Sequence, residues 1–206
     1  MEITTVEQLE AIVGEPGERA ATKERSALTD IDRAWLAATP FCVLATADDR
    51  GRCDASPKGD PPGQLVHVVD DRTIALAERP GNRRVDGYRN VLANPHVGLD
   101  FLIPGRGDTL RINGRARLFD DAPFFDDLAV HGRRPILAMV VEIETVFFHC
   151  AKAFSRSRLW DPESWNPTAS VPRRAVIAQQ LEPVAGQSLA DLDDYYRSEN
   201  YDKGLY

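Results

Sequence analysis

Positive charge, cysteine and long apolar runs are all scarce in this chain. Its 25 lysines and arginines stand against 32 aspartates and glutamates, a formal net charge of −7 over 206 residues. The molecule as a whole therefore lacks the basic surface needed to neutralise a nucleic acid or an anionic membrane. No apolar stretch is long enough to span a bilayer, and the first residues are acidic and amphipathic rather than a basic segment leading into an apolar one. A cytoplasmic protein is expected. The three cysteines, Cys42, Cys53 and Cys150, are odd in number and widely spaced, with no Cys-x-x-Cys pair and no accompanying histidine set, which argues against both a disulfide framework and a structural metal.

What is present is a change of texture along the chain. Thr5 can cap a short amphipathic helix with Val6, Leu9, Ile12 and Val13 on one side, ended by Gly14. Asp30 can cap a second helix running to about Ala38, with Ile31, Trp35 and Leu36 buried. From Phe41 short β-rich runs follow one another: Phe41 to Ala47, Cys53 to Pro57, Gln64 to Val69 and Thr73 to Ala77, separated by turn residues. Pro80-Gly81-Asn82 then opens a helix from Arg83 to Ala93, with Val85, Tyr88 and Leu92 on one face. Strands resume at His96 to Ile103 and Thr109 to Phe119, and after a helical excursion at Ala122 to Val130 a long strand runs from Ile136 to Cys150. The expected fold is mainly β with flanking helices, six or seven antiparallel strands curled into a barrel that hides its edges. Residues 1–29 read as an N-terminal helical extension, 30–165 as the barrel domain and 166–206 as a helical tail.

Four segments could carry chemistry. In Arg79-Pro-Gly-Asn-Arg-Arg84, Asn82 suits an N-cap, which would place Arg83 and Arg84 in the first helical turn, where cations oppose the helix dipole unless an anion sits among them. The plainer alternative is that these arginines face solvent or pair with Asp86 and Glu78. In Asp54-Ala-Ser-Pro-Lys-Gly-Asp60, Ser56 and Lys58 share a face of an extended segment and could reach one anion together. A meander that brought Lys58 beside the helix start would create a basic pocket on an acidic protein, suited to a phosphorylated cofactor. In the strand from Thr109 to Leu118, Thr109, Arg111, Asn113, Arg115 and Arg117 share one face, which ordinary solvent-exposed barrel exterior also explains, and Gly114 suggests a bulge or the close approach of a backbone or ligand. In His149 to Trp160, Lys152, Arg156 and Ser157 offer donors and Trp160 a stacking surface; a buried Cys150 and a hydrogen-bonded His149 are favoured over a joint catalytic role, since neighbours on a strand point to opposite faces.

Taken in order, Ser56–Asp60, Gly81–Arg84, Thr109–Gly114 and His149–Trp160 resemble the motifs of the pyridoxamine 5′-phosphate oxidase-like superfamily of FMN-binding split barrels, particularly an uncharacterised branch of it, over roughly residues 30 to 165. The resemblance implies a split β-barrel homodimer with flavin mononucleotide (FMN) at the interface and a redox reaction on an unidentified small molecule. It implies Ser56, Lys58, Asn82 and Arg84, with Arg83, for the 5′-phosphate. For the flavin ring side it implies Arg111, Asn113, Lys152, Arg156, Ser157 and Trp160. A non-catalytic flavin-binding or sensing role, and haem or deazaflavin in the same fold, stay open as alternatives. True pyridoxamine phosphate oxidases resemble each other in an Arg-Leu-x-Pro ending, whereas this chain ends Tyr201-Asp-Lys-Gly-Leu-Tyr206, so that activity is not expected.

Overall fold

The computed structural model of the chain describes residues 1–165 and 170–205. Seven antiparallel strands, β1 (Phe41–Ala47), β2 (Cys53–Gly59), β3 (Val66–Asp70), β4 (Thr73–Glu78), β5 (His96–Leu102), β6 (Thr109–Phe119) and β7 (Leu137–His149), form one sheet in the order β2-β1-β5-β6-β7-β4-β3. Period-two alternation sets the inner face: Cys42, Leu44, Leu99, Phe101, Leu110, Ile112, Val141 and Ile143 are all buried in one core. The expected mainly β, antiparallel split barrel is thus present, with seven strands.

Turn chemistry fixes the hairpins. Asp48 Oδ1 accepts from the backbone N–H groups of Arg50 and Arg52, both at 2.9 Å, and Gly51 takes φ 77° between β1 and β2. Gly114 answers the expectation of a bulge. The β6–β7 register shifts between Asn113 and Gly114, and a Cβ at Gly114 would fall 2.0 Å from the Glu142 carbonyl oxygen.

The barrel is closed by side chains. β2 and β3 are the two edges of the sheet and are not paired with each other. Across the gap, Lys58 Nζ donates to Glu78 Oε2 at 2.7 Å and Arg79 Nε donates to Asp60 Oδ2 at 2.9 Å, the latter pair almost wholly buried. Arg79 Nη2 also donates to the Leu128 carbonyl at 2.7 Å, tying in the excursion between β6 and β7. That excursion contains a 3₁₀ turn at Pro123–Phe125 in place of the expected helix.

Helices flank the sheet. α1 (Val6–Val13) is capped by Thr5 as expected, and all its residues are exposed; α2 (Glu18–Ala21) follows. α3 (Asp30–Ala38) is capped by Thr29 rather than Asp30, through a capping box with Asp32. Trp35 and Leu36 are buried as expected, together with Asp32, whereas Ile31 is exposed. α4 (Asp86–Ala93) covers β1 and β2 and buries Gly87, Tyr88 and Val91, not Leu92. α5 (Lys152–Ser157) follows β7. In the tail, α6 (Arg174–Leu181) and α7 (Leu189–Tyr195) bury Ala175, Ala178 and Leu192 against each other, followed by α8 (Ser198–Tyr201). The tail boundary expected at residue 166 and the last residue, Tyr206, lie outside the described residues.

Candidate functional site

Alternation along β2 puts Asp54, Ser56 and Lys58 on its inner face, half-buried beneath α4. The helix can approach so closely because Gly87, in its first turn, carries no side chain. A Cβ there would lie 3.2 Å from Asp54 Oδ2 and 3.4 Å from Ser56 Oγ. Asn90 Nδ2 donates to Thr46 Oγ1 at 3.0 Å and holds the helix to β1. Lys58 Nζ sits 4.6 Å from the centre of the Tyr88 ring, and the Tyr88 hydroxyl donates to the same Glu78 oxygen that Lys58 reaches. Burial, reinforced by the Glu78 carboxylate, pushes the Tyr88 hydroxyl well above the ordinary phenol range, so it remains a donor. Burial also raises the Cys42 thiol, to about 12, which keeps it an inert core residue.

The two candidate phosphate segments are therefore neighbours, with Ser56 and Lys58 both under the first turn of α4. The details differ from expectation in two ways. The helix begins at Asp86, so Arg83 and Arg84 precede it in a loop. Asn82 is not its N-cap, because Asn82 Oδ1 instead accepts from the Arg84 backbone N–H at 2.9 Å, and Arg83 adopts φ 61°, which ends any helical run at that point. The site also carries no excess of positive charge. Glu78 pairs with Lys58, Asp86 pairs with the exposed Arg84, and Asp54 accepts from Ser56 Oγ at 2.9 Å. Asp86, at the first position of α4, now satisfies the helix dipole that the arginines were expected to oppose.

The ring-side candidates lie elsewhere. Cross-strand register aligns Lys58 with Cys42, Phe101 and Leu110 on the inner face, whereas Ala55, Ala45, Gly98 and Asn113 form an outward row and Pro57, Val43, Asp100 and Arg111 the next. Arg111 and Asn113 are separated from Ser56 and Lys58 by the thickness of the sheet. Arg111 packs over the Phe147 ring at 5.3 Å, and Asn113 Nδ2 donates to Thr145 Oγ1 at 3.1 Å beside a shallow cleft of about 310 Å³. One carboxylate oxygen of Asp100 is buried on this face without a hydrogen-bond partner. Lys152 and Arg156 are exposed on α5, and Ser157 Oγ donates to the Phe154 carbonyl at 3.1 Å. Trp160 stacks on Phe154 at 5.9 Å and its Nε1 donates to the Arg106 carbonyl at 2.6 Å, so its ring props the β5–β6 turn. Cys150 and His149 are both exposed, contrary to the expected buried cysteine, because β7 ends at His149.

Sequence reasoning passed over Gly87, Tyr88 and Asp54 as site residues and met Glu78 only as a possible partner of arginine. Asp54 shares the parity of Ser56 and Lys58, and a glycine in a helix interior is itself a sign of close approach. Glu78 had no local signal, since the curl of the sheet is what carries it to Lys58.

The family model described as pyridoxamine 5′-phosphate oxidase matches residues 28–150, well over half of the chain. The chain belongs to the pyridoxamine 5′-phosphate oxidase family. Among solved structures, a putative pyridoxamine 5′-phosphate oxidase from Lactobacillus delbrueckii is 21% identical, the match covering 61% of this chain and 99% of that one with a TM-score of 0.47. HupZ of Group A Streptococcus is 20% identical over 59% of this chain and 93% of its own, with a TM-score of 0.46. An F420 reductase is 16% identical over 57% of this chain and 94% of its own, with a TM-score of 0.41. No curated protein matches the chain. The pyridoxamine 5′-phosphate oxidase match takes in every strand, β1 to β7, and α3 and α4, and ends where α5 begins to form.

Proposed function

We propose that the chain binds FMN, with the 5′-phosphate beneath the first turn of α4, and serves as a flavin-dependent oxidoreductase acting on a small molecule. The observation that carries this is the convergence of Ser56, Lys58 and the side-chain-free Gly87 at a helix start in a member of this family. The donor chemistry fits a phosphate: a hydroxyl on Ser56, an ammonium on Lys58, guanidinium groups on Arg83 and Arg84, an amide on Asn82, and first-turn N–H groups that have no intrahelical acceptor. Glu78 and Asp86 hold Lys58 and Arg84 in place until an anion arrives. The Arg84–Asp86 pair is solvent-exposed and exchanges its anion at little cost. Glu78 keeps the Tyr88 hydroxyl as a donor when Lys58 turns to the phosphate.

Bound FMN supplies hydride or electron transfer; the chain supplies anchoring and field. For the ring side, Arg111, Asn113, Lys152, Arg156, Ser157 and Trp160 are the proposed residues. Because Arg111 and Asn113 occupy the outer face, a second copy of the chain would bring them to the cradle, and proteins of this family are commonly dimeric. The outer row of Ala55, Ala45 and Gly98 is flat enough to receive a partner. The apolar part of β7, by contrast, is consumed by the chain's own core and offers no such face.

Absorbance of the purified protein and mass spectrometry of the heat-released ligand, with light scattering on the same sample, test this reading. FMN in a dimer is expected. A Soret band, a deazaflavin, or a monomer retaining stoichiometric flavin would contradict it.

A further inference from the structure

The Pro80–Asn82 loop has a second neighbour. The C-terminal segment leaves its own small core and meets the barrel there, where Tyr195, Tyr201, Gly204 and Leu205 form the opposite wall of a pocket of about 270 Å³. Tyr195 lies edge-on to Tyr201, with centroids 5.7 Å apart and planes at 89°, and Tyr196 braces both rings from behind at 4.9 and 5.7 Å. Even so, Tyr195 and Tyr201 stay 55% and 48% exposed. Aromatic rings of this size contribute most when buried, and neighbouring Leu192 and Tyr196 are drawn into the helical core while these two are left on the pocket side. The loop side complements them. A Cβ at Gly81 would meet nothing within 4 Å, and the side-chain Oδ1 of Asn82 accepts from the Arg84 N–H, leaving its side-chain NH₂ on the same loop.

We propose that this pocket is a subsite for a planar aromatic ring, and that Tyr195 and Tyr201 select it. Two tyrosine rings at right angles present one face and one edge, an arrangement that rewards a flat π-system over an aliphatic group of the same volume. Tyr195 and Tyr201 lie outside residues 28–150, so the tail confers a ring specificity that the shared barrel does not encode. The tyrosine wall stands on its own geometry and not on which cofactor the barrel takes.

Saturation-transfer NMR on the full-length protein tests this, with indole as the planar probe and cyclohexanol as the non-planar one. Indole should receive saturation and cyclohexanol should not. Tyr201→Leu, which keeps apolar bulk and loses planarity, and Tyr195→Ala should each weaken indole about three- to tenfold. Tyr201→Phe should retain it. Ile31→Ser, in the separate groove beside Trp35, should change nothing. Absence of indole binding, equal binding of cyclohexanol, or an affinity untouched by Tyr201→Leu overturns the proposal, whether or not the protein carries FMN.

Discussion

Gly114 sits where β6 and β7 come closest, and its replacement has a consequence fixed by distance. An alanine Cβ would lie 2.0 Å from the Glu142 carbonyl, a backbone atom that cannot swing away. Gly114→Ala should cost about 3 kcal/mol as the strands part, read by urea unfolding, whereas Gly81→Ala, with open space around it, should cost well under 1 kcal/mol. Asp32 is a buried carboxylate that ties stability to pH. Its side chain is fully buried. Burial alone would raise its pKa, but hydrogen bonds from Arg25 and Thr29 outweigh that and hold it below the ordinary carboxylate value of 3.8. A depressed folded-state pKa means that the stabilisation is complete above the unfolded value and is lost as pH falls through the folded one. Unfolding free energy should therefore decline below about pH 4. Asp32→Asn should be about 2 kcal/mol less stable at neutral pH and show a shallower acid limb; an unchanged acid limb would mean that other carboxylates dominate it.

At the level of elements, β2 and β3 form no ladder with each other, and Asp60–Arg79 and Lys58–Glu78 bridge the seam in its place. Asp60→Asn leaves the Arg79 guanidinium buried opposite a neutral amide and should lower stability by about 3 kcal/mol in denaturant titrations. A loss below about 0.5 kcal/mol would show that the remaining partners of Arg79, the Leu128 and Gln64 carbonyls among them, suffice for it. Elements were legible in sequence where one physical signal decided them. The alternation in Phe41–Ala47 and Thr109–Phe119 located β1 and β6 to the residue. The start of α4 was not, because Asn82 serves equally as a helix cap or as a turn acceptor, and the left-handed backbone at Arg83 that decides between them leaves no mark in an arginine. The same holds for the site. The shared face of Ser56 and Lys58 follows from parity and the Arg84–Asp86 pair is local, but Glu78, the carboxylate that neutralises Lys58, reaches it through the curl of the sheet, which no local pattern records.

For the whole molecule, the acidic balance of −7 and a cradle with its own counter-ions mean that binding cannot rest on long-range attraction. On the proposed reading, FMN binding comes from exchanging Asp86 and Glu78 for a phosphate at short range. Titration of FMN and of riboflavin, which lacks the phosphate, into wild-type and Arg84→Ala apo-protein, followed by flavin fluorescence, isolates that exchange. FMN should bind wild type at least tenfold more tightly than riboflavin does. Arg84→Ala should weaken FMN about ten- to a hundredfold, the scale of a charge-assisted hydrogen bond, and leave riboflavin unchanged. Equal affinities for the two flavins in wild type, or equal losses in the variant, would contradict a phosphate seat at the start of α4.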